Sequence, residues 1–234
     1  MSTEVPPARR DAGAATDIQI LATEHWSLLA TRALTYNEAL SRVTIFLAIL
    51  SGALIALALV AQADHFGVTF ISIAIPMLLV VMFTGLATIS RLQALNRDDY
   101  RWVIAMNRLR HAYLELRPDL QPYFMTSQYD DIAGALQTLG IDSVRAARRV
   151  GSVFHVPQTL PGMLTVIVAA VAAAIGALVA LATAIPSLAI ATVAAVVFVL
   201  ALLAMGAWER QSIKEVPPSL RPRFPSPRSE GHAG

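Results

Sequence analysis

The chain has no cysteine, a single lysine among its 18 basic residues, and only 15% charged residues in all. Without thiols it can form neither disulfides nor thiolate metal sites, though this says nothing about compartment. Among the five histidines, His25, His65, His111, His155 and His232, only His111 has a second ligand type at helical spacing, Glu115. Two ligands do not make a zinc site. A Gly-rich phosphate loop, HExxH and GxSxG are equally missing. The adjacent acids Asp98–Asp99 and Asp130–Asp131 would point in different directions from a helix, so neither pair reads as a catalytic dyad. These absences predict a protein that is not an enzyme and uses no cofactor or metal.

What is present is oil. Hydrophobic residues make up 56% of the chain and the mean hydropathy is +0.58, outside the usual soluble range. A helix crosses a bilayer with about 20 mostly apolar residues. Four runs meet that length: residues 43–63, 68–89, 160–183 and 185–207, and none contains Lys, Arg, Asp, Glu or His. The predicted fold is all-α: a four-helix transmembrane bundle with a cytosolic antiparallel helical hairpin extending the first two spans.

Basic residues set the orientation. Four precede the first run, nine lie between the second and third, five follow the fourth, and none lies in the turns at 62–67 and 184–187. By the positive-inside rule the turns face outward, and both termini and the central segment face the cytoplasm. The expected location is therefore multi-pass in the cell inner (plasma) membrane. The pI near 9.3 then reflects orientation and contact with membrane lipid, and no nucleic-acid partner is expected. The leader before the first run has no apolar h-region and is not a cleavable signal peptide.

Along the chain, residues 1–16 read as a disordered leader of Pro, Gly, Ala and charges. Thr16 or Asp17 can cap a helix that runs into the first span, so residues 17–117 form a helical hairpin with cytosolic extensions. Ala22, Trp26, Leu29, Ala33, Tyr36, Leu40 and Val43 recur at steps of four and three, the spacing of a helix seam. Leu92, Leu95, Asp99, Trp102, Met106, Leu109, Tyr113 and Leu116 repeat it after the second span, with one acid in the stripe. Pairing these seams antiparallel sets Asp17 near Arg117, Glu24 near Arg108 or Arg110, Arg32 near Asp99 and Glu38 near Arg97. Asp99 in an apolar seam either needs a cation such as Arg32 or opens the seam to water; it is read as a register-fixing polar residue, or else as one displaced to the edge of the seam.

Residues 118–155 read as a cytosolic connector with short helices: Ser127 and Asp130 resemble a capping box, and Ile132 to Leu139 form a helix stopped by Gly140. A further helix capped at Asp142 or Ser143 places Arg145, Arg148 and Arg149 on one face. These arginines either touch the inner leaflet or simply hold the next span inside, and the two readings are compatible. Residues 156–207 form a second transmembrane hairpin. Residues 208–234, rich in Pro and Arg after the interfacial Trp208, are expected to be disordered, and the PxxP at Pro222 to Pro225 is read as part of a solvating tail.

Within the spans, small residues four apart suggest close helix packing. They include Ala169, Ala173 and Ala177, then Ala172, Gly176 and Ala180, and in the first span Ala48, Gly52 and Ala56. Gly52, Ala169, Ala173, Gly176 and Ala180 are the expected packing positions. The hydroxyls of Thr69, Ser72, Thr84, Thr88, Thr165 and Thr192 are expected to bond back to their own helices.

The stretch Glu24-His25-Trp26-Ser27-Leu28-Leu29-Ala30-Thr31-Arg32, with Trp102-Val103-Ile104-Ala105-Met106-Asn107-Arg108-Leu109-Arg110-His111-Ala112-Tyr113-Leu114-Glu115-Leu116, resembles a group of four-span membrane proteins of GC-rich bacteria. The likeness covers about residues 20 to 210, and that group carries no established activity. A cytosolic helix leading into two spans and out into another cytosolic helix also resembles the arrangement of SLATT membrane effectors, whose proposed role is pore formation; the second hairpin departs from it. The expectation is a non-enzymatic membrane protein that self-associates as a scaffold or passive pore, with the cytosolic hairpin as interaction module. The alternative is an accessory subunit that anchors a cytosolic or membrane enzyme complex through residues 118–150, a cytosolic protein being the possible partner. A transporter is disfavoured because the spans carry no charge.

Overall fold

The structure, a computed structural model, describes residues 7–140, 159–183, 185–212 and 220–227. Every element among them is helical: α1 (Pro7–Asp64), α2 (Val68–Leu116), a 3-10 turn (Pro118–Tyr123), α3 (Ile132–Thr138), α4 (Leu160–Ala182) and α5 (Ser187–Ser212). Four of these are long and apolar enough to cross a membrane. Helix α1 starts at Pro7, before the cap expected at Thr16 or Asp17, and α2 continues through Pro76. Proline suits a first helical turn, where its missing N–H has no partner to lose.

The chain divides into two compact units, and the divisions fall inside α1 after Tyr36 and inside α2 after Leu95. Neither unit is a continuous stretch of sequence, so both cut across the segments expected from composition. One unit holds residues 37–95 with α4 and α5. The other holds the N-terminal part of α1, the C-terminal part of α2, the 3-10 turn, α3 and residues 220–227.

In the first of these units Phe46 of α1, Val81 and Ile89 of α2, and Leu164, Val168 and Ala169 of α4 form a core with almost no exposure. Its tightest point is Gly85: a Cβ there would lie 2.4 Å from Val168 Cγ2 and 3.0 Å from Phe46 Cε2. Glycine is required because three helices converge on that position. Of the expected packing positions, Ala169 and Ala180 are buried and Ala173 is half-buried. A Cβ on Gly176 would lie 3.0 Å from Val197 Cγ2 of α5, whereas Gly52 meets nothing within 4 Å. The small-residue spacing around Gly52 thus marks an open face, that around Gly176 a close one, and the tightest approach in this core belongs to Gly85, a glycine outside any such spacing.

Polar groups on these helices are consumed locally. Thr84, Thr88, Thr165 and Thr192 donate to the carbonyls of Val80, Thr84, Pro161 and Leu188, and Ser72 donates to Thr69. Thr159 caps α4 by accepting from Gly162 N at 3.1 Å. Between α1 and α2, His65 and Phe66 have φ of 45° and 62°, a left-handed path that brings Asp64 Oδ2 within 2.7 Å of Phe70 N. Asp64 thereby satisfies an early N–H of α2. Beside this core, Glu38 accepts from Arg91 at 2.9 and 3.0 Å and from Arg42 at 2.8 Å. The hydrogen bonds from Arg91 and then Arg42 lower its pKa to about 2.

Candidate interaction site at the paired aspartates

The remaining unit starts from two helix segments in opposite sense, since His25 lies 6.0 Å from the Tyr113 ring and Arg32 meets Asp99. The Arg32 guanidinium grips Asp99 with both Nε and Nη2, at 2.5 and 3.1 Å. Both side chains remain about one-third exposed (32% each), so the pair contributes about 1 kcal/mol or less. A double-mutant cycle of Arg32→Ala and Asp99→Ala, read by thermal unfolding in detergent, is therefore expected to give a coupling of about 0.5–1 kcal/mol.

The other charges expected between α1 and α2 are arranged differently. Glu38 takes Arg91 and Arg42 rather than Arg97, and Arg117 turns to Asp119 at 2.7 and 2.9 Å. Among the described residues no ion pair joins Asp17 to Arg117 or Glu24 to Arg108 or Arg110. Arg108 is instead committed to Asp130.

The apolar stripe on α1 is also rotated relative to its expected facing. Leu28, Ala39 and Val43 are buried, and His25, Leu29, Arg32 and Thr35 are half-buried, while Trp26 (72% exposed), Tyr36 (62%) and Leu40 (39%) look outward. Of the expected positions Ala22, Leu29 and Val43 do face inward, but at Trp26, Ala33, Tyr36 and Leu40 the inward residue is the one before, His25, Arg32, Thr35 and Ala39. Selecting the most apolar stripe passes over His25 and Arg32, which face inward because Tyr113 and Asp99 wait for them. On α2, Met106 is buried and Asp99, Trp102, Leu109 and Tyr113 are half-buried. A second face of α2 is buried as well: Val103 and Ile104 pack with Ala135 of α3 and Leu220, and Asn107 is buried beside them in sequence.

Asn107, fully buried, is a hub. Its Nδ2 donates to Tyr129 O at 2.8 Å, and its Oδ1 accepts from Thr138 Oγ1 at 2.8 Å and Arg110 Nη1 at 2.7 Å. Burial, with the charge of Arg32 second, lowers the pKa of the Arg110 guanidinium. Burial and then Arg110 likewise lower His25. The arrangement disfavours added positive charge in this unit's interior.

Asp130 and Asp131 sit where the chain enters α3. Asp131 caps that helix, accepting from Gly134 N at 2.8 Å. Ser127 supports the turn by accepting from Tyr129 N. A Cβ on Gly134 would lie 2.1 Å from Tyr129 O, so only glycine admits this tight entry. Gly140, with φ of +77°, follows α3 as expected of a helix stop. Arg145, Arg148 and Arg149 lie outside the described residues.

The two carboxylates receive the C-terminal segment. Asp130 accepts from Arg223 N at 2.9 and 3.0 Å, from Phe224 N at 2.8 Å and from Arg108 Nε at 2.7 Å, and its own N–H donates to Phe224 O. Asp131 accepts from Ser226 N at 2.9 Å and Ser226 Oγ at 2.6 Å. Arg108 Nη2 reaches Arg221 O, and the Phe224 ring stacks on His111 with centroids 3.9 Å apart. Residues 220–227, expected to be disordered, are thus an ordered strap. Proline and arginine content indicates that a segment cannot build its own core; it does not show whether another part of the chain offers acceptors for its backbone.

Burial works to raise the pKa of Asp130, but the Arg223 amide, Arg108 and the Phe224 amide outweigh it and hold the carboxyl below the ordinary 3.8. Asp131 is lowered in the same way, burial being overcome by Ser226 and Gly134. Groups whose folded pKa is depressed contribute stability that is complete above the unfolded value and is lost as pH falls through the folded one. The strap is therefore expected to stay docked at every pH above about 4 and to release only in stronger acid. The NMR shifts of the Phe224 ring against His111 would follow this, and release between pH 7 and 5 would contradict it.

His111 and Glu115 approach to 3.6 Å, and no group of three metal-ligating side chains exists among the described residues. No family model, curated protein or solved structure matches the chain.

Proposed function

We propose that this is a non-enzymatic multi-pass membrane protein that self-associates as a scaffold, with the Asp130–Asp131 unit as its cytosolic interaction module. The observation that carries the membrane reading is the outer surface of the apolar helices. Phe83, Leu59, Val80, Leu188 and Leu203 are each more than 60% exposed, and only 6% of the most apolar window of α5 is buried within the chain. Surfaces of that kind need lipid or another subunit to cover them. In this reading α1 and α2 form a hairpin whose turn at residues 65–67 faces outward, and the Arg-rich segments and both termini face the cytoplasm of an inner (plasma) membrane.

Scaffolding is favoured over a passive pore because the span hydroxyls described above donate to their own helices, which leaves few polar groups to line a conduit. Self-association is favoured by the uncharged outward stripe of Trp26, Ala33 and Tyr36 and by the open face at Gly52. Crosslinking in native membranes followed by sizing tests it: a discrete oligomer is expected, and a strictly monomeric species would contradict it.

A further inference from the structure

The strap is held mainly through its backbone. Three of its amides donate to Asp130 and Asp131, and two of its carbonyls, on Arg221 and Phe224, accept from Arg108 and Asp130 N. Side chains are read at three places: Leu220 packs on Val103, Ile104 and Ala135, the Phe224 ring stacks on His111, and the Ser226 hydroxyl donates to Asp131. The two carboxylates outnumber the one arginine, Arg108, that touches the strap, and the strap carries Arg221 and Arg223, so site and strap differ in sign of charge. Nothing in these contacts depends on strap and aspartates belonging to one molecule.

We propose that Asp130 and Asp131, with Arg108 and His111, form a peptide-docking site that also accepts residues 220–227 of a second copy, so that exchanged straps link neighbouring chains. This deepens the reading of self-association and rests on it for biological meaning. Seven residues, 213–219, join Ser212 to Leu220, and a segment of that length spans at most about 25 Å. The contacts made within a chain and between chains are the same, so effective concentration decides between them. Exchange of an identical element is a low-cost route to association.

Complementation tests this in the full-length chain, whose lack of cysteine makes introduced thiols unique. One chain carries Asp130→Asn and Asp131→Asn with Pro227→Cys, and so keeps a strap without a site. Its partner carries Phe224→Ala and Ser226→Asp with Ile132→Cys, and so keeps a site without a competent strap. After co-expression, a short bismaleimide is expected to join the two chains at least tenfold more than when the second chain also carries Asp130→Asn. Equal yields with and without that substitution would overturn the proposal. So would an absence of mixed product while an otherwise unaltered chain bearing both cysteines crosslinks within itself. Sizing the same sample without crosslinker separates the two levels: an oligomer that shows no exchange sinks the docking site alone, and a monomer sinks self-association with it.

Discussion

Replacing Asp130 with Asn is expected to release residues 220–227 and to destabilise the unit that contains them by about 3 kcal/mol. Its side chain is fully buried and collects two backbone amides and a guanidinium. Asparagine keeps the volume, but one of its two terminal atoms is a donor, so an amide that now meets a carboxylate oxygen would meet an N–H instead. Arg108, three-quarters buried, would lose its counter-charge and, as the strap leaves, the Arg221 carbonyl that its Nη2 now meets. Breaking a buried pair from one side costs more than the pair contributes, because the remaining charge is stranded. Amide exchange at Arg223 and Phe224 should accelerate by about a hundredfold or more, since 1.36 kcal/mol corresponds to a factor of ten. The same substitution at Asp119, whose pairing with Arg117 is exposed, should leave those amides unchanged.

Gly85→Leu is the second substitution expected to act strongly, and it acts on the other unit. The added Cβ alone would sit 2.4 Å from Val168 Cγ2, and Val168 is itself buried. Phe46, fully buried, closes the other side, so neither neighbour has free space to move into. Overpacking of this kind costs about 1–3 kcal/mol and more when backbone must shift; leucine at this position should reach the upper end. Thermal unfolding in detergent reads the loss. Gly52→Leu, at a site that meets nothing within 4 Å, is the matched control and should cost well under about 1 kcal/mol in the isolated chain.

The long helices were legible because they rest on additive properties. Twenty uncharged apolar residues cannot be arranged in water in many ways, and the run from Val43 to Ala63 needs no knowledge of its neighbours to be read as a long apolar helix. The start of α3 at Ile132 and its stop at Gly140 were legible for a related reason, since helix signals are local, but the cap was misplaced: Asp131 caps the helix, whereas Ser127 accepts from Tyr129 N and Asp130 from the strap. The Arg32–Asp99 pair followed from antiparallel register and opposite charge, and here register sufficed.

Facing and docking were not legible. Choosing a seam by apolarity places Trp26 and Tyr36 inside, whereas in the fold His25, Arg32 and Thr35 face inward there. That choice depends on partners in α2 whose value is invisible along α1. The paired aspartates were discounted because adjacent residues diverge on a helix, but they lie just before α3, where extended backbone lets both reach one segment. Only Ser226 and Phe224, some 95 residues away, reveal their use. A single sequence carries no sign that such distant groups meet, beyond two acids on one side and an Arg-rich stretch on the other. Gly85 escaped for a similar reason: its need for a bare Cα comes from Val168 and Phe46, and small-residue spacing within its own helix does not record them.

The central claim is that lipid covers the four apolar helices and that the Asp130 unit lies on the cytoplasmic side. Single cysteines at Phe66 and Met125, 61% and 95% exposed, test it when intact cells are treated with a membrane-impermeant maleimide. Phe66→Cys should label at once, and Met125→Cys should label only after the membrane is opened. Labelling of Met125→Cys in intact cells, or recovery of the chain from the soluble fraction without detergent, would contradict the account.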